Sequence, residues 1–328
     1  MSKYRLQLPQ LHDQFFLTDS GLETTLIFHQ GLELPYFAAF DLLRSEDGTA
    51  ILRRYYDQHA ELARQHGLGA ILEAPTWRAS ADWGRKLGHD DASLRALNRR
   101  AIALMLEIRQ RWETPQQPMV ISGNLGPRGD GYHVEHKMTV DEARAYHSAQ
   151  IATFADTAAD LVSVFTMNYV EEAAGVIRAA RDWRMPVVVS FTLETDGHLP
   201  SGEPLADAII RTDALTDHYA AYYMINCAHP DHFRQRLHGD APWLQRIAGV
   251  RANASRRSHA ELDESTELDA GNPVELGQQY RELKQLLPAL RVVGGCCGTD
   301  HRHVDAIGQA LRAKTPSGHV SNKAVAVC

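Results

Sequence analysis

Leu161-Val162-Ser163-Val164-Phe165, then Val170–Trp183, then Pro186-Val187-Val188-Val189-Ser190-Phe191, read as strand, helix and strand. Both strands are continuous apolar runs rather than alternations, the pattern of strands covered on both faces. A strand returning through a helix to a second such strand is a parallel βαβ unit.

The same rhythm extends in both directions. Toward the N-terminus, Thr139-Val140-Asp141-Glu142 predicts a capping box opening a helix that runs to Ala159. Before it come a strand at Met119–Ser122, a helix at Ser93–Trp112, a strand at Ala70–Ala74, a helix at Ile51–His66 and a first strand at Phe15–Asp19. Toward the C-terminus the expected elements are a helix at Pro204–Asp217, a strand at Tyr222–Ile225, a short helix at Pro230–His238 and a strand at Arg246–Val250. Pro273–Leu287, Arg291–Val293 and Asp300–Ala313 complete the series as helix, strand and helix. Eight β-then-α units predict an α/β protein folded as a single-domain (β/α)8 TIM barrel over residues 1–313. Residues 314–328, with Pro, Gly, Ser and Asn, read as a flexible C-terminal tail. A doubly wound open sheet is the competitor, but no G-x-G-x-x-G follows the first strand and no Walker A sequence occurs.

Composition narrows the function. The 328 residues are 44% hydrophobic, enough for a large core, and 34 basic against 41 acidic residues give a net charge of −7. That balance argues against nucleic acid or an anionic membrane as partner. No stretch approaches the ~20 apolar residues of a membrane span, and the N-terminus lacks a signal-peptide core, so a cytoplasmic protein is expected. The outer helices of a barrel leave homo-oligomer formation open.

In a TIM barrel the chemistry sits at the C-terminal ends of the strands. The first strand ends at Asp19, the second at Glu73–Trp77, the third at Asn124 and the fourth at Phe165-Thr166. The sixth ends at Asn226-Cys227, the seventh near Asn253 and the eighth at Cys296-Cys297. Three of the four cysteines, Cys227, Cys296 and Cys297, therefore fall on that rim, and Cys328 lies in the tail. Three converging thiolates make a tetrahedral Zn²⁺ site with one open position, where an incoming thiol can lose its proton. Gly294 and Gly295 before the pair, and Gly298 after it, permit close backbone approach. The plain alternative treats the cysteines as small buried hydrophobes. His229, His232, His301 and His303 lie near them in sequence; a His229 or His303 ligand would make a Cys-His site, but both are expected to open helices after the site and to be solvated. Arg251, Arg256 and Arg257 read as a basic loop, and Glu194–Gly197 with Ser201-Gly202 as a mobile loop over the rim.

Asp19-Ser20-Gly21-Leu22-Glu23-Thr24, Ile225-Asn226-Cys227 and Gly294-Gly295-Cys296-Cys297-Gly298-Thr299 resemble the homocysteine S-methyltransferase family over about residues 13–313. The family includes betaine–homocysteine and S-methylmethionine–homocysteine methyltransferases and the homocysteine domain of methionine synthase. The resemblance implies a zinc-dependent enzyme passing a methyl group from a small-molecule donor to the thiolate of L-homocysteine, giving methionine. It places Cys227, Cys296 and Cys297 on zinc, Asp19 and Gly21 in the turn that holds the amino acid, Asn226 beside the first ligand, and Trp77 where a donor-pocket tyrosine is usual. An aromatic face there suits sulfonium or quaternary ammonium donors.

Two departures stand out. The family's glutamate at the end of strand four, which binds the homocysteine amino group, is replaced by Phe165. Ser20 and Glu23 stand where small residues are usual, leaving Asp19 and Glu23 as the carboxylates able to compensate. Phe165 thus favours a second reading, a zinc methyltransferase for another thiol or selenol. A third is a non-catalytic zinc- or redox-sensing barrel. The donor stays open among S-methylmethionine, betaine, S-adenosylmethionine and methylfolate.

Overall fold

The computed structural model describes residues 1–312, so the expected tail and Cys328 lie outside the described residues. Eight parallel strands close into a barrel in sequence order: β1 (Phe16–Leu17), β2 (Gly69–Glu73), β3 (Met119–Leu125), β4 (Leu161–Met167), β5 (Val187–Thr192), β6 (Tyr222–Asn226), β7 (Ile247–Ala252) and β8 (Val292–Gly295). β1 pairs with both β2 and β8, which closes the ring. The single-turn α1 (Leu22–Thr24) follows β1, and the long α2 (Glu46–His66) leads to β2. Then come α3 (Ala81–Lys86), α4 (Asp91–Trp112), α5 (Val140–Ala155), α6 (Val170–Asp182), α7 (Leu205–Thr216), α8 (Pro230–Phe233), α9 (His259–Asp263), α10 (Pro273–Leu286) and α11 (His301–Arg312). Among the described residues, no helix is long and apolar enough to cross a membrane.

Local chemistry explains the boundaries. Ser45 caps α2 by accepting from Gly48 N, and Gly67 ends it in the left-handed region at φ 67°. Thr139 and Glu142 form the expected capping box of α5. That helix ends at Ala155 rather than Ala159, because Asp160 is drawn under the barrel. Its carboxylate pairs with buried Arg109 at 2.7 Å and accepts from Ile121 N at 2.9 Å, which the chain reaches only by leaving the helix. Pro230–His238 is likewise only one turn of α-helix followed by a 3-10 turn at Arg234–Arg236.

Every residue of β2 and β4 through β8 is buried. Alternate side chains face two different cores, as the two-residue period of a strand dictates. Phe16, Ile71, Val120, Leu161, Val188, Tyr222, Met224 and Val292 fill the barrel interior. Leu17, Leu72, Ile121, Val162, Val189 and Ile225 pack outward under the helices.

Two strands break the period. In β4 the partner register slips between Val164 and Met167, with Thr166 in the left-handed region at φ 63°. Val164 and Met167 both pack outward, and Phe165 points in. In β7, Tyr223 pairs with Ile247 but Met224 pairs with Gly249, so one extra residue is inserted. Ala248 faces inward, Val250 and Ala252 outward, and Arg251 falls on the interior face. Each bulge re-aims side chains at the C-terminal mouth of the barrel.

Candidate active site

A cavity of about 580 Å³ opens at that mouth. In its lining the sulfur atoms of Cys227, Cys296 and Cys297 lie within 4.8 Å of one another. Cys227 follows β6 in the left-handed region at φ 53°, and Cys296-Cys297 follow β8. Strands six and eight thus deliver their thiols to one point across β7. Among the described residues no histidine or carboxylate joins the cluster. His229 and His303 are buried rather than solvated. His229 caps α8, and His303 bonds Asp300 and the Ala270 carbonyl.

Charge is unevenly shared among the thiols. Hydrogen bonds from Cys296 and Cys297 hold the Cys227 thiol well below its ordinary pKa, with further help from Tyr132 and Asn226. The same contacts push Cys296 up to about 12 and Cys297 well above the normal thiol range. One negative charge is accepted readily and two more are resisted. A divalent cation is the species that lets all three ionise, and sulfur is the donor suited to a soft one.

Asn226 is the strut behind Cys227. Its Oδ1 accepts from Thr166 N (3.0 Å) and Ser190 Oγ (2.6 Å), and its Nδ2 donates to Thr166 Oγ1 (3.0 Å) and Cys227 Sγ (3.1 Å). With both ends of its amide used, it ties the β4 bulge to β5 and to the thiol. Thr166 takes part in that network and also lines the cavity.

The turn after β1 closes another wall. Asp19 accepts from Tyr55 Oη at 3.0 Å and pairs with Arg251 at 2.8 Å. Arg251 also donates to the Gly295 and Ser20 carbonyls, each at 3.0 Å. Ser20 Oγ lies 2.9 Å from His59 Nε2, while His59 Nδ1 lies 2.9 Å from the Tyr55 carbonyl. Because a carbonyl only accepts, Nδ1 carries the proton and Nε2 receives one from Ser20. Burial lowers the His59 pKa, which keeps that ring neutral. A serine at position 20 is therefore matched by His59 one helix away. Gly21 is required by space: a Cβ there would sit 2.6 Å from the Cys296 carbonyl oxygen. Gly295 does not line the cavity; it leaves room for Thr299, whose Oγ1 a Cβ would approach to 2.1 Å.

The remaining expected residues surround the opening. Glu23, at the start of α1, lines the cavity, and burial pushes its carboxyl up to about 7. Asn124 Oδ1 and Trp77 Nε1 are buried without a hydrogen-bond partner. The guanidinium of Arg78 lies 3.9 Å over the Trp77 ring and 3.8 Å over Trp83, so one face of Trp77 already carries a cation. Phe165 forms part of the apolar interior, with Arg251 5.0 Å above its ring. Arg256 and Arg257 remain outside on the surface, and the Glu194–Gly197 segment does not line the cavity.

Sequence reasoning missed five contributors. Glu73 and Arg251 look like charged residues at strand ends, and Arg251 was expected in a loop. Strand parity points to Glu73, since Ile71 is interior; the β7 bulge hides Arg251. Tyr55 and His59, at i and i+4 on α2, carry only the signal of polar residues on a buried face. Tyr132, whose Oη lies 3.8 Å from Cys297 Sγ, sits in an irregular loop and stacks on His259 at 4.1 Å.

A closed (β/α)8 barrel with three thiols and a buried acid–base pair beneath an open cavity defines an enzyme of the TIM-barrel class with a candidate soft-metal centre. Residues 16–311 match the family model described as homocysteine S-methyltransferase. The chain belongs to the homocysteine S-methyltransferase family and is a methyltransferase. It is 27% identical over 242 residues to the homocysteine S-methyltransferase of Escherichia coli K12, covering 67% of this chain and 73% of that one. The fold is similar to the crystal structures of the Escherichia coli homocysteine methyltransferase MmuM. The oxidized form gives a TM-score of 0.73 at 20% identity over 94% of this chain and 99% of that one. The metallated form gives 0.71 at 21% identity over 93% and 99%.

Proposed function

We propose that the protein is a zinc-dependent S-methyltransferase acting on L-homocysteine to give methionine. The convergence of the Cys227, Cys296 and Cys297 sulfurs within 4.8 Å in the lining of an open cavity carries this reading. Those three residues would hold the metal, which when bound supplies the positive charge that keeps an acceptor thiol ionised at neutral pH.

Everything else is positioning. Asn226 sets Cys227, the Arg251–Asp19 pair sets the turn before Gly21, and Gly21 lets that turn approach the Cys296 backbone. The acceptor's sulfur lone pair forms a bond to the donor's methyl carbon as the bond from that carbon to a cationic sulfur or nitrogen breaks. The leaving group departs as a neutral thioether or amine, so no general acid is needed. Trp77, Asn124 and Thr166 border the space left for the donor. Because Arg78 covers one face of Trp77, a cationic donor would meet the opposite face or the ring edge.

Zinc per chain in the purified protein, followed at the zinc X-ray absorption edge with and without homocysteine, tests the proposal. One zinc whose sulfur coordination rises from three to four is the expected result. A metal-free protein that turns over would overturn it. Phe165 supports a second reading, an acceptor thiol or selenol without an amino group. One zinc with no change on adding homocysteine would favour that acceptor.

A further inference from the structure

Glu73 ends β2 and faces the barrel interior, two residues beyond interior Ile71. Glu73 is 3% exposed yet lines the same cavity as the three thiols. Oε1 accepts from Ser163 Oγ at 3.1 Å, and Ser163 accepts in turn from Ser122 Oγ at 2.8 Å. Oε2 is buried with no hydrogen-bond partner. Arg251, the basic group that acts on Glu73 most strongly, is committed to Asp19, Ser20 and Gly295. A carboxylate left in this state costs free energy until a cation or donor reaches it. Burial accordingly pushes its carboxyl up to about 7.

The surroundings say which ligand group would reach it. Asp19 lies 2.8 Å from the Arg251 guanidinium and is bonded by Tyr55, so its charge is already paired even though its Oδ1 accepts no hydrogen bond. On β4, Phe165 presents an apolar ring to the cavity two residues beyond Ser163, the residue that orients Glu73. Glu73 lies level with Ser163, one layer below Phe165 on the interior face.

We propose that Glu73 is the specificity residue for the acceptor, receiving the protonated amino group of an α-amino thiol on Oε2. This deepens the homocysteine reading and rests on it. The contact is non-covalent: an ammonium N–H donates to Oε2 while Ser163 holds Oε1. It makes amino-acid thiols the acceptor class and excludes simple alkyl thiols as equal substrates. A charge-assisted hydrogen bond in a buried site is worth roughly 10- to 100-fold in affinity.

Calorimetric titration of the zinc-loaded protein with L-homocysteine, and with 4-sulfanylbutanoate, which lacks the amino group, measures the effect without a methyl donor. In the wild-type protein homocysteine should bind about 10- to 100-fold more tightly than its deamino analogue. Glu73→Gln keeps the shape and should bring the ratio close to one while leaving 4-sulfanylbutanoate affinity and zinc content unchanged. If that variant does not fold, Ser163→Ala, which frees Oε1, should lower the same ratio in part. A ratio unchanged in Glu73→Gln, or equal losses for both thiols, overturns the assignment of Glu73 alone. A wild-type holoprotein that binds neither thiol overturns both this inference and the acceptor reading beneath it.

Discussion

Arg251 closes the barrel seam at the mouth, and its removal should be among the most costly single changes in the protein. Arg251 is 7% exposed and its partner Asp19 6%, so neither charge is rescued by water. It joins β7 to the turn after β1 through Asp19 and Ser20, and to β8 through Gly295. Arg251→Met preserves much of the volume but leaves Asp19 buried with one hydroxyl partner, Tyr55. Breaking one side of a buried ion pair costs about 3–5 kcal/mol. The orphaned Gly295 carbonyl adds about 1 kcal/mol, and Ser20 O is left sharing the single Tyr55 hydroxyl proton with Asp19. The expected loss is therefore about 4–6 kcal/mol, read as a lower urea midpoint at unchanged m-value. The double variant Asp19→Asn with Arg251→Met should recover a large part of this, because no uncompensated charge remains. A loss below about 1 kcal/mol in the single variant, or a double variant as unstable as the sum, would refute the view that the stranded carboxylate is the cause.

Three more outcomes are expected. Cys296→Ala should purify with little or no zinc and no methyl transfer, measured by metal analysis and product formation; retained turnover would exclude a metal role for that thiol. Stripping the metal with a chelator should make Cys227 the first of the three site cysteines alkylated at neutral pH, since its thiol is the one held down by its neighbours, as peptide mass mapping will show. Glu73→Gln should stabilise the ligand-free protein above pH 7. The folded carboxyl titrates near 7 and the unfolded one near 4.5, so the folded state holds a proton the unfolded state releases between these values. Glu73 therefore contributes its full penalty above pH 7 and progressively less as pH falls. The variant's advantage should be about 3 kcal/mol at most and shrink to nothing by about pH 4.5 in denaturation at a series of pH values.

Much of this architecture is legible in the chain. Apolar runs such as Val187-Val188-Val189 can be satisfied only with both faces covered, and eight of them alternating with helices leave few folds available. The ends of those runs place Cys227, Cys296 and Cys297 on one rim before any contact is known. Helix boundaries follow local chemistry where the capping signal is local, as with Thr139 and Glu142. They drift where a long-range partner intervenes: Asp160 leaves α5 to reach Arg109, a residue 51 positions away.

What the sequence determined by itself is the set of strands, their order and the thiols at their ends, because periodicity and burial are properties of neighbouring residues. Which polar residues belong to the site was decided only in three dimensions. Bulges at Phe165-Thr166 and Ala248-Gly249 shift strand parity, turning Arg251 inward and carrying Thr166 toward the cavity. Asp19 finds its cation on β7, Ser20 its imidazole on α2, and Glu73 its serine on β4. Each pairing depends on the closing of the ring, which brings the first strand against the last and the interior faces of all eight within reach of one another.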